Sequence, residues 1–455
     1  MEPTRRLAAF ISELNYENIP SPVVRKAKLC LLDYLANVYG SLELAAVEAA
    51  MNYIKSLGAS GPATVLGCGF KTDIHHAALA NGVLAEAIES QDGLRFGGNH
   101  PGAAVIPAAL AAAEQIGVGG RRVIEALVAG YEAANRPAMA MHPWHTLKGF
   151  LPTGTCGAFG AAAAAAKVRG ADAGRTLNAL GNAGYLLPIS MAEQLMGGFT
   201  IKIMQGGQAA LAGLLAAGLA EAGITGTPYV LEGSPLKGGF TQITTAADPK
   251  MERLTEALGE KFTIMDVYFK PYTACRHTHG GAQAVLALKR ENNLDPNEVE
   301  KVEVFTYGLA ELAVGKNVVR GDTFVSAQFS LPYVIAVCLM DGELGPGQLT
   351  EKRLADASLL ELSARVKVKT DEELNQAYPD KTATRVEIVL KNGERLSRQV
   401  DIPYGDPRDP LETDALAHKV KRFAGSREAD QVEKLIELIL DLEKVEDIGR
   451  ITNLV

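Results

Sequence analysis

The sequence predicts a mainly α-helical protein with an α+β second domain, and three observations carry that prediction. Residues 1–262 place apolar side chains at helical spacing and are rich in alanine and glycine. Over 263–397 the pattern turns to alternation of apolar and polar residues, the period of half-buried strands. From 398 to 455 helical spacing returns. A helical tail after an α/β insert most simply rejoins the helical domain. At 455 residues the chain exceeds the size at which one core keeps growing, so two domains are expected. The expected architecture is a large all-helical domain over 1–262, completed by 398–455, and a smaller α/β domain over 263–397.

The elements follow in order. SPVVRKAKLCLLDYLANVYG opens on a serine and a proline and closes at Gly40, with apolar residues at helical spacing. AAVIPAALAAAEQIG, VIEALVAGYEAANR, GTCGAFGAAAAAAKVRG and GGQAALAGLLAAGLAEAG come next, each alanine- and glycine-rich. Small side chains let helices approach closely, so these segments should form a tight bundle buried nearly all round. VEKVEVFTY, LSARVKVKTD and ATRVEIVLKNGERLSRQVDI alternate as strands do, and the Asn-Gly of LKNGERL marks a tight hairpin turn. GGAQAVLALKRENN and AQFSLPYVIAVCLMDG read as helices between them. DPLETDALAHKVKRFAG and READQVEKLIELILDLEKV are the terminal helices.

Apolar residues make up 47% of the chain and charged residues 22%, a globular balance that excludes disorder and collagen-like structure. A formal charge of −8 with no Lys/Arg-rich run argues against general nucleic-acid affinity. An anionic substrate then requires a local basic pocket. The five cysteines (Cys30, Cys68, Cys156, Cys275, Cys338) form no C-x-x-C pair, which points to isolated thiols in a reducing cytoplasm. The N-terminus is too polar for a signal peptide, and the runs 155–166 and 206–223 are too small-residue or too charged to read as membrane spans. A soluble cytoplasmic protein without membrane or nucleic-acid partners is expected.

The chemistry-bearing residues concentrate in FKPYTACRHTHGG, which holds Lys270, Tyr272, Cys275, Arg276, His277 and His279. A metal reading needs ligands from elsewhere, since no H-E-x-x-H exists, and Lys270 and Arg276 would oppose a dication. Cys275 beside these cations is a candidate thiolate, against the commoner role of buried cysteine as apolar filler. The anion reading is better supported. Arg276 offers a planar fork to a carboxylate, Lys270 a point charge, and the histidines proton transfer near neutrality. His100 sits in a glycine-rich turn ahead of a helix, where backbone N–H groups favour an anion. Lys202, isolated among apolar residues in GGFTIKIMQGG, is expected to have its pKa depressed by desolvation. The glycine-rich stretches GNHPG, GTCGAFG and GGQAALAG lack both dinucleotide and P-loop spacing, so no nucleotide cofactor is expected, and with Lys270 and Arg276 opposing a dication no metal is expected either.

These stretches, with GPATVLG, HHAALANGVLAEAIESQDG, NHPGAAVIPAALAAAEQIG, FSLPYVIAVCLMDGEL and YGDPRDPL, resemble the MmgE/PrpD family from end to end. That family includes 2-methylcitrate dehydratase, cis-aconitate decarboxylase and iminodisuccinate epimerase. The resemblance implies a cofactor-free homodimer with an all-α domain, an α/β lid, and a site between them for a small di- or tricarboxylate. It implies catalytic roles for His100, Lys202, Asp92 and one of His277 and His279. Glu89, Arg276, Lys270, Tyr272 and His145 are the implied substrate contacts. Two departures stand out. The family's H-A-x-D-x-D-D-T reads EAIESQDG here, with Glu86, Glu89, Gln91, Asp92 and Gly93 at the corresponding positions. The family's G-[FW]-H-P-T reads GFLPT, with Leu151 in place of a pocket histidine that His145 replaces only if its loop folds back.

The implied chemistry is proton transfer at a carbon next to a carboxylate, by a lyase of the dehydratase or decarboxylase kind. An epimerase or isomerase of an iminodisuccinate-like dicarboxylate tolerates a depleted acid cluster better. A catalytically disabled carboxylate-binding homologue is the third reading.

Overall fold

In the computed structural model, which describes residues 2–236 and 238–455, the chain is mainly helical with a small mixed sheet. The bundle rests on close approach, as the small residues predict. Helix Pro152–Val168 packs against both Gly120–Met141 and Gln205–Glu221, with Gly102–Ile116 and Ile74–Glu86 alongside. At the crossing of Ile74–Glu86 and Gln205–Glu221, a Cβ on Gly82 would fall 2.4 Å from the Gly207 Cα. Only glycine fits there, and this contact brings Glu86 beside Gln205. Thr200–Glu221 is long and apolar enough to cross a membrane, but 67% of its apolar window is buried inside the bundle, as for a core helix.

The terminal helices Thr413–Phe423 and Ala429–Leu440 pack on Ser21–Ser41, so the end of the chain returns to the beginning. The four-stranded sheet places Val366–Thr370 parallel to Val299–Thr306, then adds Thr384–Leu390 and Arg395–Val400 antiparallel. Along Val299–Thr306 the buried residues Val299, Val302, Val304 and Thr306 point to the face covered by helices His279–Asn292 and Leu331–Asp341.

The structure differs from the expectation in three places. The hairpin at Asn392-Gly393 forms, but as a three-residue loop: Leu390 donates to the Glu394 carbonyl at 2.9 Å, and only Gly393 takes positive φ (86°). AQFSLPYVIAVCLMDG is not one helix. It breaks at Ser330, which caps Leu331–Asp341 by accepting from the Tyr333 N–H, and a short helix Phe324–Gln328 precedes it. The helical half also carries two small β pairs, Ala63–Val65 with Phe70–Thr72 and Gly93–Leu94 with Val267–Tyr268. Strands of two or three residues are too short to show a period in sequence. The second pair matters most, because it ties the stretch before His100 to the stretch before Lys270.

Candidate active site

The helix Ile74–Glu86 is started by Asp73, whose carboxylate accepts from the N–H groups of His75 (2.9 Å) and His76 (3.3 Å). It stops at Glu86, and three residues on Glu89 takes a left-handed backbone at φ 54°, which non-glycine residues adopt at a cost of about 1–2 kcal/mol. The turn is held from three sides. Gln328 Nε2 donates to the Ala87 carbonyl (2.8 Å), Lys419 Nζ to the Ser90 carbonyl (2.7 Å), and the Ser90 hydroxyl to the Lys270 carbonyl (3.1 Å).

Inside this turn, four buried charged side chains meet. Glu89 accepts from Lys202 through Oε2 and from Lys270 through Oε1 at 2.6 Å. Lys270 Nζ also donates to the Glu89 carbonyl at 3.1 Å. Lys202 Nζ lies 3.0 Å from Glu86 Oε1, which also accepts from Gln205 Nε2 at 2.5 Å. Burial alone would raise Glu89, yet Lys202 and Lys270 together hold it well below the usual carboxylate range. Burial, reinforced by Glu89 and opposed by Lys202, raises Glu86, whose Oε2 is sealed off without a partner. The expectation for Lys202 is corrected. Burial would lower it, but Glu86 and Glu89 outweigh burial and raise it, so it is a fixed cation rather than a base.

His100 stands over the cluster, its Nε2 3.8 Å from Glu89 Oε1. Its Nδ1 lies 2.6 Å from the Asp92 carbonyl oxygen; a carbonyl only accepts, so Nδ1 carries the proton and Nε2 presents a free lone pair. Burial and the nearby Lys270 lower the ring to about 3, against the opposing pull of Glu89. His100 is therefore a neutral base. Its backbone N–H donates to Thr153 Oγ1 at 2.9 Å, at the start of the helix that follows Leu151. Asp92 does not reach the cluster with its carboxylate. That group accepts from Tyr131 Oη (2.5 Å) and the Gly102 N–H (3.1 Å), and burial raises it to about 7. Its side chain anchors the helix that follows His100, and its carbonyl fixes the His100 tautomer.

The CRHTH loop divides. His277 is half-buried, shares a 2.5 Å hydrogen bond with the Tyr307 hydroxyl, and is lowered to about 4 by burial, then Lys270, His142 and Arg276. His279 turns inward, donating Nε2–H to the Ala274 carbonyl at 3.0 Å, with Nδ1 sealed and unpartnered. Of the two histidines, His277 is the less buried and bonds a side-chain hydroxyl, whereas His279 is fully buried on a backbone carbonyl. Arg276 commits one N–H of each terminal nitrogen to the chain, donating to the carbonyls of Tyr404 (2.8 Å) and Pro403 (2.6 Å). Tyr272 packs its ring on His279, centroids 5.2 Å apart. Cys275 is buried and its thiol is pushed up to about 12, which opposes a thiolate role.

His145 does not compensate for Leu151. Its ring is stacked on Phe150 at 5.1 Å, with Nδ1 donating to the Thr244 carbonyl and Nε2 on Thr155 Oγ1, both at 2.8 Å. The loop has not folded back, because both ring nitrogens already have partners. Among the described residues, no group of three or more His, Cys, Asp or Glu side chains is arranged to hold a metal ion.

Sequence reasoning passed over Glu86 as a site residue, and Gln205, Tyr268 and Tyr307 altogether. The signal for Glu86 was a lone carboxylate closing the largely apolar run ALANGVLAE, just ahead of Glu89. Tyr268 comes into place because Gly93 has no side chain. A Cβ at Gly93 would fall 2.4 Å from Tyr268 Oη and 2.9 Å from His100 Nδ1.

A mainly helical protein with a small α/β unit, and with buried lysines, carboxylates and neutral histidines gathered where the two meet, fits one class of protein known from sequence comparison. The MmgE/PrpD N-terminal domain profile matches residues 5–252 and the C-terminal domain profile residues 272–444, so the chain belongs to the MmgE/PrpD family. It is similar to cis-aconitate decarboxylase of Aspergillus terreus, 27% identical over 99% of this chain and 95% of that protein. It is also similar to cis-aconitate decarboxylase of Mus musculus, 25% identical over 99% of this chain and 93% of that one.

Proposed function

We propose that the protein is a cofactor-independent lyase, a decarboxylase or dehydratase, acting on a small di- or tricarboxylate by proton transfer next to a carboxylate. The observation that carries this reading is His100, a neutral base aimed at the point where Lys202 and Lys270 converge. The two relatives at full-length similarity, both named for decarboxylation of cis-aconitate, support the same class.

In this reading the lysine ammonium groups receive a substrate carboxylate by charge-assisted hydrogen bonds. Breaking a C–H or C–CO2 bond at the adjacent carbon leaves an electron pair that delocalises onto that carboxylate. Lys202 and Lys270 sit where this charge grows, in a site from which water is largely excluded. In a dehydration His100 Nε2 accepts the C–H proton, the electron pair forms the double bond as the hydroxyl leaves the next carbon, and that proton completes the departing water. In a decarboxylation, the carbon left by CO2 takes a proton from a group that had gained one, and His100 and the Tyr307-bound His277 are the two candidates. Asp92 acts as a positioning residue through the His100 tautomer.

We also propose that a second copy of the chain covers the run Tyr185, Ile189, Met191, Phe199 and Ile201, all exposed and leading into Lys202. Light scattering should return twice the chain mass, and a monomer would remove this assignment.

The activity is tested by incubating the purified protein with candidate di- and tricarboxylates in D2O and following mass. Loss of CO2 or water establishes the lyase. Deuterium uptake without net conversion moves the assignment to an isomerase, and binding without exchange to a disabled carboxylate-binding homologue.

A further inference from the structure

We propose that the Tyr268 hydroxyl is a substrate-recognition group, donating a hydrogen bond to a carboxylate oxygen of the acid on which His100 acts. The proposal deepens the carboxylate reading and rests on it.

The short β pair puts this hydroxyl beside the base. Gly93 and Tyr268 are directly opposed in the antiparallel pair of Gly93–Leu94 with Val267–Tyr268. Opposed residues send their side chains to the same face, and glycine sends none, so the neighbouring ring can lie against its backbone. The point a Gly93 Cβ would take is 2.4 Å from Tyr268 Oη, 2.5 Å from its Cζ and 2.9 Å from His100 Nδ1. Phenol and imidazole thus flank one methyl-sized space. The Arg276 guanidinium lies over the phenol ring, 4.8 Å from its centroid, and is tied down by the Tyr404 and Pro403 carbonyls. The ring is therefore held by contacts that make no use of its oxygen.

That oxygen is the one the fold leaves over. The other hydroxyls around His100 are committed. Tyr131 Oη donates to Asp92, the Tyr307 hydroxyl is paired with His277, Thr153 Oγ1 accepts the His100 N–H, and Ser90 donates to the Lys270 carbonyl. Among the described residues, no hydrogen bond within the chain engages Tyr268 Oη. Nor is it one of the sealed, unpartnered atoms, and the residue keeps 7% of its surface exposed. A tyrosine buried this far usually finds a partner for its hydroxyl, and one that served packing alone would be replaced without loss by phenylalanine.

The chemistry fits a donor to a carboxylate. Burial, opposed by Arg276, raises the phenol above its ordinary value, so it stays protonated and donates. A neutral hydroxyl is cheaper to desolvate than an ammonium, and its hydrogen bond to a carboxylate is charge-assisted. The space it flanks lies at the Nδ1 edge of His100, whereas the free lone pair is on Nε2. The oxygen that Tyr268 meets therefore belongs to a carboxylate flanking the reacting carbon, and the residue recognises the substrate rather than moving its proton.

Tyr268→Phe removes the oxygen and keeps the ring. Its melting temperature should match that of the wild type, because the hydroxyl holds nothing in the chain. A clear fall would mean that the hydroxyl serves the fold, which overturns the inference. Kinetics are then followed with citraconate and cis-aconitate. For an acid the wild type turns over, KM should rise about tenfold to a hundredfold, as for a lost hydrogen bond to a charged group, with kcat changed less than about threefold. A kcat that falls while KM holds would make Tyr268 a positioning residue for His100, and unchanged constants would make it a packing group. Either result overturns the inference and leaves the lyase intact.

Binding separates the inference from the lyase reading. Succinate and tricarballylate, saturated acids, are titrated by calorimetry into both proteins, and the variant should bind the tighter of the two about tenfold more weakly. Equal affinities overturn the inference, with or without turnover. A wild type that turns over neither unsaturated acid, yet binds a saturated one more tightly than the variant does, contradicts the lyase and supports the Tyr268 contact. A wild type that binds neither saturated acid overturns both.

Discussion

The turn at 86–100 and the loop at 270–279 carry similar chemical groups and use them in opposite ways. In the first, Glu86, Glu89 and His100 all direct their functional atoms to one point, and the backbone around them is held by other elements. In the second, only Lys270 bonds a member of that cluster, while His277 pairs with the Tyr307 hydroxyl and Arg276 and His279 bond the chain's own carbonyls. A cluster of reactive residue types is therefore not yet a site. What counts is which donors and lone pairs remain after the fold has satisfied itself.

The comparison is broken most severely at its shared point. Lys202→Met leaves Glu86 without its cation and Glu89 with Lys270 alone. A loss of about 3–5 kcal/mol in denaturant unfolding is expected, together with loss of measurable turnover. His100→Gln comes next: kcat should fall by about a hundredfold to ten-thousandfold, with the fold retained.

The pH dependence sharpens this assignment. The folded state lowers His100 from 6.5 to about 3, so its stabilising contribution is present above pH 6.5 and is lost as pH falls towards 3. The melting temperature of His100→Gln should thus fall less than that of the wild type between pH 6.5 and 4. Titration of His100 in the wild type near 6.5 would contradict the assignment.

Gly93→Ala is expected to have a smaller effect. The new Cβ collides with Tyr268 Oη and presses on the His100 ring, so kcat/KM should drop about tenfold, within the range of a misplaced catalytic group. The smallest catalytic effect belongs to the self-satisfied loop. His279→Gln should cost about 1–3 kcal/mol in unfolding, since a buried partner of the Ala274 carbonyl is disturbed, while kcat/KM of the folded protein holds. A collapse of kcat there would place His279 in the chemistry and remove the contrast between the two regions.

The same contrast explains how far the sequence could be read. Helix and strand periods announce themselves over a dozen residues, so the bundle, the sheet and the returning terminal helices were legible. The Gly93–Leu94 pairing with Val267–Tyr268 was not, though it joins the two halves of the site, because a two-residue strand has no period. Residue type and spacing pointed to His100, Lys202 and Lys270, and the family resemblance to Glu89; the fold brings the four together. Residue type also pointed to Arg276, and the resemblance to Tyr272 and His145. Nothing in a sequence says that a guanidinium will meet two carbonyls or that an imidazole will be taken by a threonine. Nor did it indicate the sign of the Lys202 shift, which depends on two carboxylates more than a hundred residues away in sequence.

The most direct test of the account is a crystal structure of the protein with a dicarboxylate bound. The account predicts one carboxylate against Lys202 and Lys270 with the adjacent carbon facing His100 Nε2, and Arg276 still on the Tyr404 and Pro403 carbonyls. A dicarboxylate seated on Arg276 and His279, with the Glu89 cluster untouched, would contradict it.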